Sequence, residues 1–303
     1  MPVEPAIDDL KALNTVTVGN ALGVAQDWTK KELPLTWPDL GGASIRLWLS
    51  LLCAPFECGA KQAEVPDDLP GPTIPSYARE QFHGLPNGYY SHNIASGYDK
   101  GFEASMLFRV QGARRRMARL MARGRVLDVG CGSGRLIAEL RAEGADEVWG
   151  LDPSPYMLKI AQRRSPQAKL RQGLIEANDF PDDYFDSVGV CFVFHELPGN
   201  VTERAILELY RILRPGAVLC VTEPCREHIY ERNVFRLVKR YGFRGLYFHF
   251  LAKGVYEPFL KDWQALGDHG DWLRKAGFEV IEQAVDVPFQ FLVARKPQAL
   301  LRS

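Results

Sequence analysis

From residue 124 onward, short apolar runs rich in β-branched residues alternate with segments whose apolar positions recur at helical spacing. Arg125–Gly130, Glu147–Asp152, Lys169–Gly173, Phe185–Cys191 and Ala217–Thr222 read as strands. A helix through Leu136–Arg141 follows the first strand. Ser154 is a natural cap for the next helix, with Pro155 at its first position, where a missing N–H costs nothing. A third helix is expected to open at Asn200 with Glu203 as its capping-box partner. It sets Ile206, Leu209, Tyr210 and Leu213 on one face and ends at Pro215-Gly216. Near the C-terminus a helix over Asp271–Ala276 stops at Gly277, and two strands follow, Phe278–Val285 and Phe289–Arg295, separated by Pro288. Such alternation of strand and helix predicts α/β units around a parallel sheet.

The first hundred residues read differently. Ten of the twenty prolines precede residue 87, and Pro66, Pro70, Pro72 and Pro75 make residues 60–80 a wrapping loop. The most apolar stretch, Leu47–Phe56, is half of the roughly 20 residues a membrane-spanning helix needs, so it reads as a buried helix or at most a peripheral membrane contact. Asp8, Asp9 and Lys11 interrupt any secretory core.

Composition narrows the class. With 46% apolar and 24% charged residues the chain is ordinary globular protein, not a disordered or collagen-like one. Six cysteines are too dilute for a disulfide framework, and neither Cys53/Cys58 nor Cys220/Cys225 has histidines at metal-site spacing. A reduced, cytoplasmic protein without a metal is expected. The net charge of zero excludes a generally basic nucleic-acid wrapper, but it averages unlike blocks. Residues 1–103 are acidic by six charges, whereas 104–124 carry six arginines and no acid. The acidic block and the arginine helix are expected to pack on each other.

The first strand runs into Cys131-Gly132-Ser133-Gly134-Arg135. Glycines at 130, 132 and 134 permit a sharp turn that a ligand can lie against, and the following helix offers free N–H groups. A dinucleotide fingerprint would need glycine at 135, where this chain has arginine, so a nicotinamide oxidoreductase is disfavoured. The pattern is instead D-x-G-x-G-x-G, beginning at Asp128.

With these residues the chain resembles the class I S-adenosylmethionine-dependent methyltransferases, in the small-molecule branch that includes ubiquinone- and menaquinone-biosynthesis enzymes. Four ordered stretches carry the likeness: VLDVGCGSGRL (126–136), VWGLDPSPYML (148–158), FPDDYFDSVGVCFVFHEL (180–197) and LYRILRPGAVLCVTEP (209–224). The resemblance implies a Rossmann-like seven-stranded, mostly parallel sheet with the last strand antiparallel and helices on both faces. It implies S-adenosylmethionine as cofactor, held by Tyr98, Asp128, Gly130, Cys131, Gly132, Gly134, Asp152, Pro153, Met157, Leu174, Ile175, Glu176 and Cys191. Asp152 would accept from ribose hydroxyls, and Pro153 and Met157 would face adenine. One departure stands out: where the family usually has Gly-Asp-Ala-Glu, this chain has Gly173-Leu174-Ile175-Glu176, which removes the aspartate that reads the adenine amino group.

Methyl transfer from a sulfonium is a one-step displacement, so alignment and exclusion of water are the main requirements. If the acceptor must lose a proton, His195 is the candidate base, with loop shaping as its alternative role. Glu196 is a weaker candidate, and Tyr89, Tyr90 and His92 could reach the site from the N-terminal side. Residues 225–270 hold ten aromatic side chains interleaved with cations, readable as a lid over a lipophilic acceptor, as a cap with its aromatics packed inward, or as a single-strand nucleic-acid face. The expected organisation is a helical, Pro-rich extension over 1–94 and a methyltransferase domain over 95–303, with 225–270 as an inserted helical lid. The expected partner is a small-molecule methyl acceptor, with no nucleic acid and no integral membrane association, in a monomer or homodimer. A non-catalytic cofactor-binding protein and an RNA-directed enzyme are the alternatives.

Overall fold

A computed structural model describes residues 26–40, 62–255, 257–265 and 267–298, apart from the side chain of His228. Seven strands form one sheet in the order β3-β2-β1-β4-β5-β7-β6: β1 Arg125–Val129, β2 Glu147–Asp152, β3 Lys169–Gln172, β4 Phe185–Cys191, β5 Leu213–Pro224, β6 Glu279–Asp286 and β7 Phe289–Arg295. β1 to β5 are parallel, and β7 runs antiparallel to both β5 and β6. This is the expected sheet.

The pleat explains why both faces are covered. Val126, Val148, Cys220 and Val293 join one core cluster, while their neighbours Leu127, Trp149, Leu219, Val221 and Leu292 join the other. The first cluster is closed by α2 Arg109–Met121, α3 Arg135–Ala142 and α4 Pro155–Arg164, which follow α1 His92–Ser105 in the chain. The second is closed by α5 Gly199–Ile212, α8 Leu260–Ala265 and α9 His269–Lys275. Between β5 and α8 lie α6 Arg226–Tyr230 and α7 Val234–Gly254.

Local departures have local causes. Ser154 caps α4 as expected, accepting from the Met157 N–H. α5 starts before Asn200: the N–H groups of Val201 and Thr202 both donate to the Pro198 carbonyl, so Asn200 lies inside the helix and caps nothing. Pro215-Gly216 does not separate helix from strand. β5 begins at Leu213 directly after α5, and a register shift opposite Phe185–Ser187 absorbs the irregularity.

The described part of the N-terminal extension, 26–40 and 62–91, contains 3₁₀ turns and irregular chain. It packs into the α/β body. Trp28 is fully buried in the first cluster, on the side of α2, α3 and α4, and donates to the Leu170 carbonyl, and the Tyr156 hydroxyl donates to the Pro34 carbonyl. The apolar stretch Leu47–Phe56, Cys53 and Cys58 lie outside the described residues. The arginine helix α2 pairs only partly as expected. Arg114 meets Glu103 at the edge of the acidic block, but Arg109 pairs with Asp286, Arg116 with Glu282 and Arg115 with Glu139. Strand β6 reaches α2 in space, and the sequence distance of the acidic residues did not reveal it.

Candidate functional site

The strand order reverses between β1 and β4, and a crevice opens beyond the carboxyl ends of these strands. It holds a cavity of about 150 Å3 lined by Tyr98, Asp128, Gly130, Cys131, Gly132, Asp152, Pro153, Met157, Leu174, Ile175, Glu176 and Cys191. Of the residues expected around a cofactor, the geometry therefore brings all but Gly134 together. Gly134, at φ 77°, begins α3 and lies so close to Ala161 that a Cβ would reach to 2.9 Å from the Ala161 Cβ; it is a close-packing glycine.

Two buried carboxyl groups form the floor. Asp152 accepts from the N–H groups of Gly132 at 2.7 Å and Ser154 at 2.8 Å, which ties the end of β2 to the glycine turn. Burial pushes its carboxyl up to about 7 despite these bonds. Asp128 is also buried, and one of its oxygens has no protein partner. Burial raises it to about 8, with Arg114 acting in the opposite sense. The Asp128 and Asp152 carboxyls share a site that favours hydrogen-bond donors or a cation. At the other end Glu176 accepts from the Tyr77 hydroxyl, leaving its second oxygen without a protein partner. Tyr77 and Phe82 line the cavity as well, although nothing in the Pro-rich segment announced them.

A second cavity, of about 460 Å3, adjoins the first. Tyr98, Phe102 and Phe192 line both. Phe192 holds a left-handed backbone at φ 61°, just past β4, and its ring meets Phe102 edge-on at 5.5 Å. The rest of the second cavity is mainly apolar, with Ile94 and Met106 on one side and Ile229, Phe248, Leu251 and Leu260 on the other. Polar groups gather at one end, where His83, His195 and Glu257 meet.

These three belong to a buried ionic cluster. Glu223, fully buried at the end of β5, accepts from the N–H groups of Val193 at 2.7 Å, Phe194 at 2.8 Å and His195 at 3.3 Å, and lies 2.7 Å from His195 Nδ1. Glu257 faces both rings, 2.7 Å from His83 Nδ1 and 3.8 Å from His195 Nε2. His83 Nε2 is 3.2 Å from Glu196, which also accepts from the Tyr89 hydroxyl at 2.7 Å. Burial works to lower His195, but Glu257 and Glu223 outweigh it and lift the ring to about 9. His83 is lifted to about 10 in the same way, by Glu257 and Glu196 against burial. Both cations in turn hold Glu257 below the usual carboxylate range, against burial.

His195 is thus brought to the second cavity, but as an imidazolium at neutral pH. A neutral ring ready to take a proton was the reason for naming it a base, and the neighbouring carboxylates remove that reason. Tyr89 reaches the site, whereas Tyr90 donates to the Ala78 carbonyl and His92 contacts the Leu33 carbonyl, both away from it. Glu257 and His83 carried no sequence signal: each is an isolated residue in an irregular stretch, joined only in space. Among the described residues no three His, Cys, Asp or Glu side chains are arranged to hold a metal.

Comparison with known proteins bears on this geometry. Residues 127–221, from β1 to β5, match the family model of a methyltransferase domain. Over that stretch, under a third of the chain, the protein is similar to methyltransferase domains. Over 105 residues it is 42% identical to a demethylmenaquinone methyltransferase of Thermus thermophilus, covering 33% of this chain and 46% of that protein. Over 125 residues it is 38% identical to a malonyl-[acyl-carrier protein] O-methyltransferase of Enterobacter lignolyticus, covering 40% and 49%. The chain thus spans about half the length of these curated relatives. A solved SAM-dependent methyltransferase from Thermotoga maritima aligns at 21% identity over 68% of this chain and 97% of its own, with a TM-score of 0.46. The matched segment holds the glycine turn, Asp128, Asp152 and His195, while Tyr98, His83 and Glu257 come from outside it.

Proposed function

We propose that the protein transfers a methyl group from S-adenosylmethionine to a small lipophilic molecule held in the second cavity. The observation that carries this reading is the pair of adjoining cavities with a shared wall of Tyr98, Phe102 and Phe192. Bound S-adenosylmethionine supplies an activated methyl group.

The residues of the first cavity suit that cofactor. The unpartnered oxygen of Asp128 and the carbonyls of the glycine turn would accept from the methionine ammonium, and Asp152 from the ribose hydroxyls. Glu176, whose second oxygen lacks a partner, stands where the family's missing aspartate leaves adenine without a side-chain acceptor. Pro153, Met157, Leu174 and Ile175 would pack on the adenine.

Across the shared wall the chain's task is positioning. Tyr98, Phe102 and Phe192 would align acceptor and donor and exclude water. His195, protonated, would turn its Nε2–H toward an oxygen of the acceptor, while His83, whose two ring nitrogens face Glu257 and Glu196, would hold Glu257 beside it. Residues 62–94 and the 225–270 insertion together would enclose the acceptor, in a protein we read as cytoplasmic with reduced cysteines.

Calorimetric titration with S-adenosylhomocysteine tests the cofactor, and radiolabelled methyl transfer to lipophilic against polar acceptors tests the second cavity. Absence of binding heat would end the cofactor reading. Turnover confined to polar or macromolecular acceptors would end the lipophilic one.

A further inference from the structure

Most of the described aromatic residues after β5 do not line the second cavity. Of the described ones, Phe248 alone lines the second cavity, while Phe235 is 86% exposed, Phe243 81% and Phe250 59%. Large apolar side chains at such exposure, on a buried-core scaffold, mark an interaction surface. We propose that α7 and the turn preceding α2 form a docking surface for an anionic lipid bilayer.

Phe243, Tyr247 and Phe250 are spaced so that they share one face of the second half of α7, beyond the break at Gly242 (φ 66°). The turn at Leu107 and Phe108 joins them. Both residues have left-handed backbones and both are exposed, so a strained conformation presents apolar side chains to water. The turn is tied to α7 by the Tyr247 hydroxyl, which donates to the Ser105 carbonyl at 2.9 Å, and by Asp286, which meets both Arg109 and Arg244.

Charge decides the occupant. Residues 232–255 hold six Lys and Arg and no acid. An open groove of about 840 Å3 beside the first half of α7 is lined by Arg226, Arg236, Lys239 and Arg240, with Glu227 and Glu231 on its α6 side. Protruding aromatics flanked by cations suit a plane that is apolar inside and negatively charged at its surface. The inner faces of the same elements, at Met106, Phe248 and Leu251, line the second cavity, so a lipophilic molecule in the bilayer would meet its wall first. The proposal stands apart from the identity of the acceptor, because docking is read without turnover.

The test is co-sedimentation of the full chain with vesicles of phosphatidylcholine alone or mixed with phosphatidylglycerol. Sedimentation with the mixed vesicles, weakened by salt and absent with phosphatidylcholine alone, is expected. Phe243→Ser with Phe250→Ser should lower the partition coefficient at least about tenfold, since each removes a ring from the lipid-facing stripe. Lys239→Glu with Arg240→Glu should lower it comparably without touching the stripe. Unchanged thermal unfolding and S-adenosylhomocysteine binding in all variants establish that the fold is intact. Equal binding of variants and wild type, or none to either vesicle, overturns the proposal. It is also overturned if the phenylalanine variant dissolves a dimer in lipid-free solution, or if a single-stranded oligonucleotide binds this face in place of vesicles.

Discussion

Glu223 offers the most direct check on the ionic cluster. Its fully buried carboxylate satisfies three successive backbone N–H groups after β4 and holds His195 Nδ1. Glu223→Ala would leave those donors and an imidazolium buried without a partner. Unmaking a buried charge pair of this kind costs about 4 kcal/mol, within which the three orphaned N–H groups account for much of the loss. Glu223→Gln keeps one acceptor oxygen for Val193 and Phe194 but turns an N–H₂ toward His195, so about half that cost is expected. For a chain of this size these losses correspond to drops of about 8 °C and about 4 °C in melting temperature. Urea unfolding followed by circular dichroism measures the stability, and imidazole resonances report the ring. In the Gln variant His195 should titrate below its wild-type value of about 9, because one of its two carboxylate neighbours has become neutral. A loss under about 1 kcal/mol in the Ala variant would mean that the turn is held by other contacts and that the reasoning is wrong.

Further outcomes follow from the same geometry. His195, His83, Asp128 and Asp152 all have folded values above their ordinary ones, at about 9, 10, 8 and 7, so the folded chain holds more protons than the unfolded one. The histidine contribution is complete below the ordinary value of 6.5 and lost as pH rises through about 9 for His195 and about 10 for His83, so urea midpoints should fall across that range. His195→Gln should show a shallower fall, and a midpoint that rises with pH would contradict the assignment. Asp152→Asn should weaken S-adenosylhomocysteine binding by about tenfold or more, read by calorimetry, if Asp152 accepts from the ribose hydroxyls as proposed. Gly130→Ala should be severely destabilising, because its Cβ would lie 2.5 Å from Val193 at φ 61°. Gly132→Ala, at φ 49° with open space, should cost only the left-handed strain of about 1–2 kcal/mol. Equal melting temperatures for the two alanine variants would refute that distinction. Glu257→Gln should lower the His83 and His195 titrations together while leaving S-adenosylhomocysteine affinity unchanged; a change in one ring alone would deny that the carboxylate couples them.

What the sequence determined by itself was whatever depends on neighbours in the chain. The periodicities of Arg125–Val129, Glu147–Asp152 and Phe185–Cys191 are local, so these strands and the glycine turn between β1 and α3 were legible residue by residue. Asp152 followed, because its distance from the turn is fixed by one βα unit, and the likeness to known methyltransferases rests on that same stretch. The boundaries of α5 and β5 were less legible, since a proline carbonyl and a sheet irregularity outweighed the capping and Pro-Gly signals. Tertiary structure alone decided the rest. His83, Glu196, Glu223 and Glu257 are far apart in sequence and become one buried charge system only when the N-terminal segment and the insertion after β5 close over the same strand ends. That closure changes what His195 is, because a protonation state depends on charges brought near through space rather than along the chain. It also decided where the aromatics of α7 point, which the helical spacing left open: Phe248 lines the second cavity, while Phe243 and Phe250 face outward.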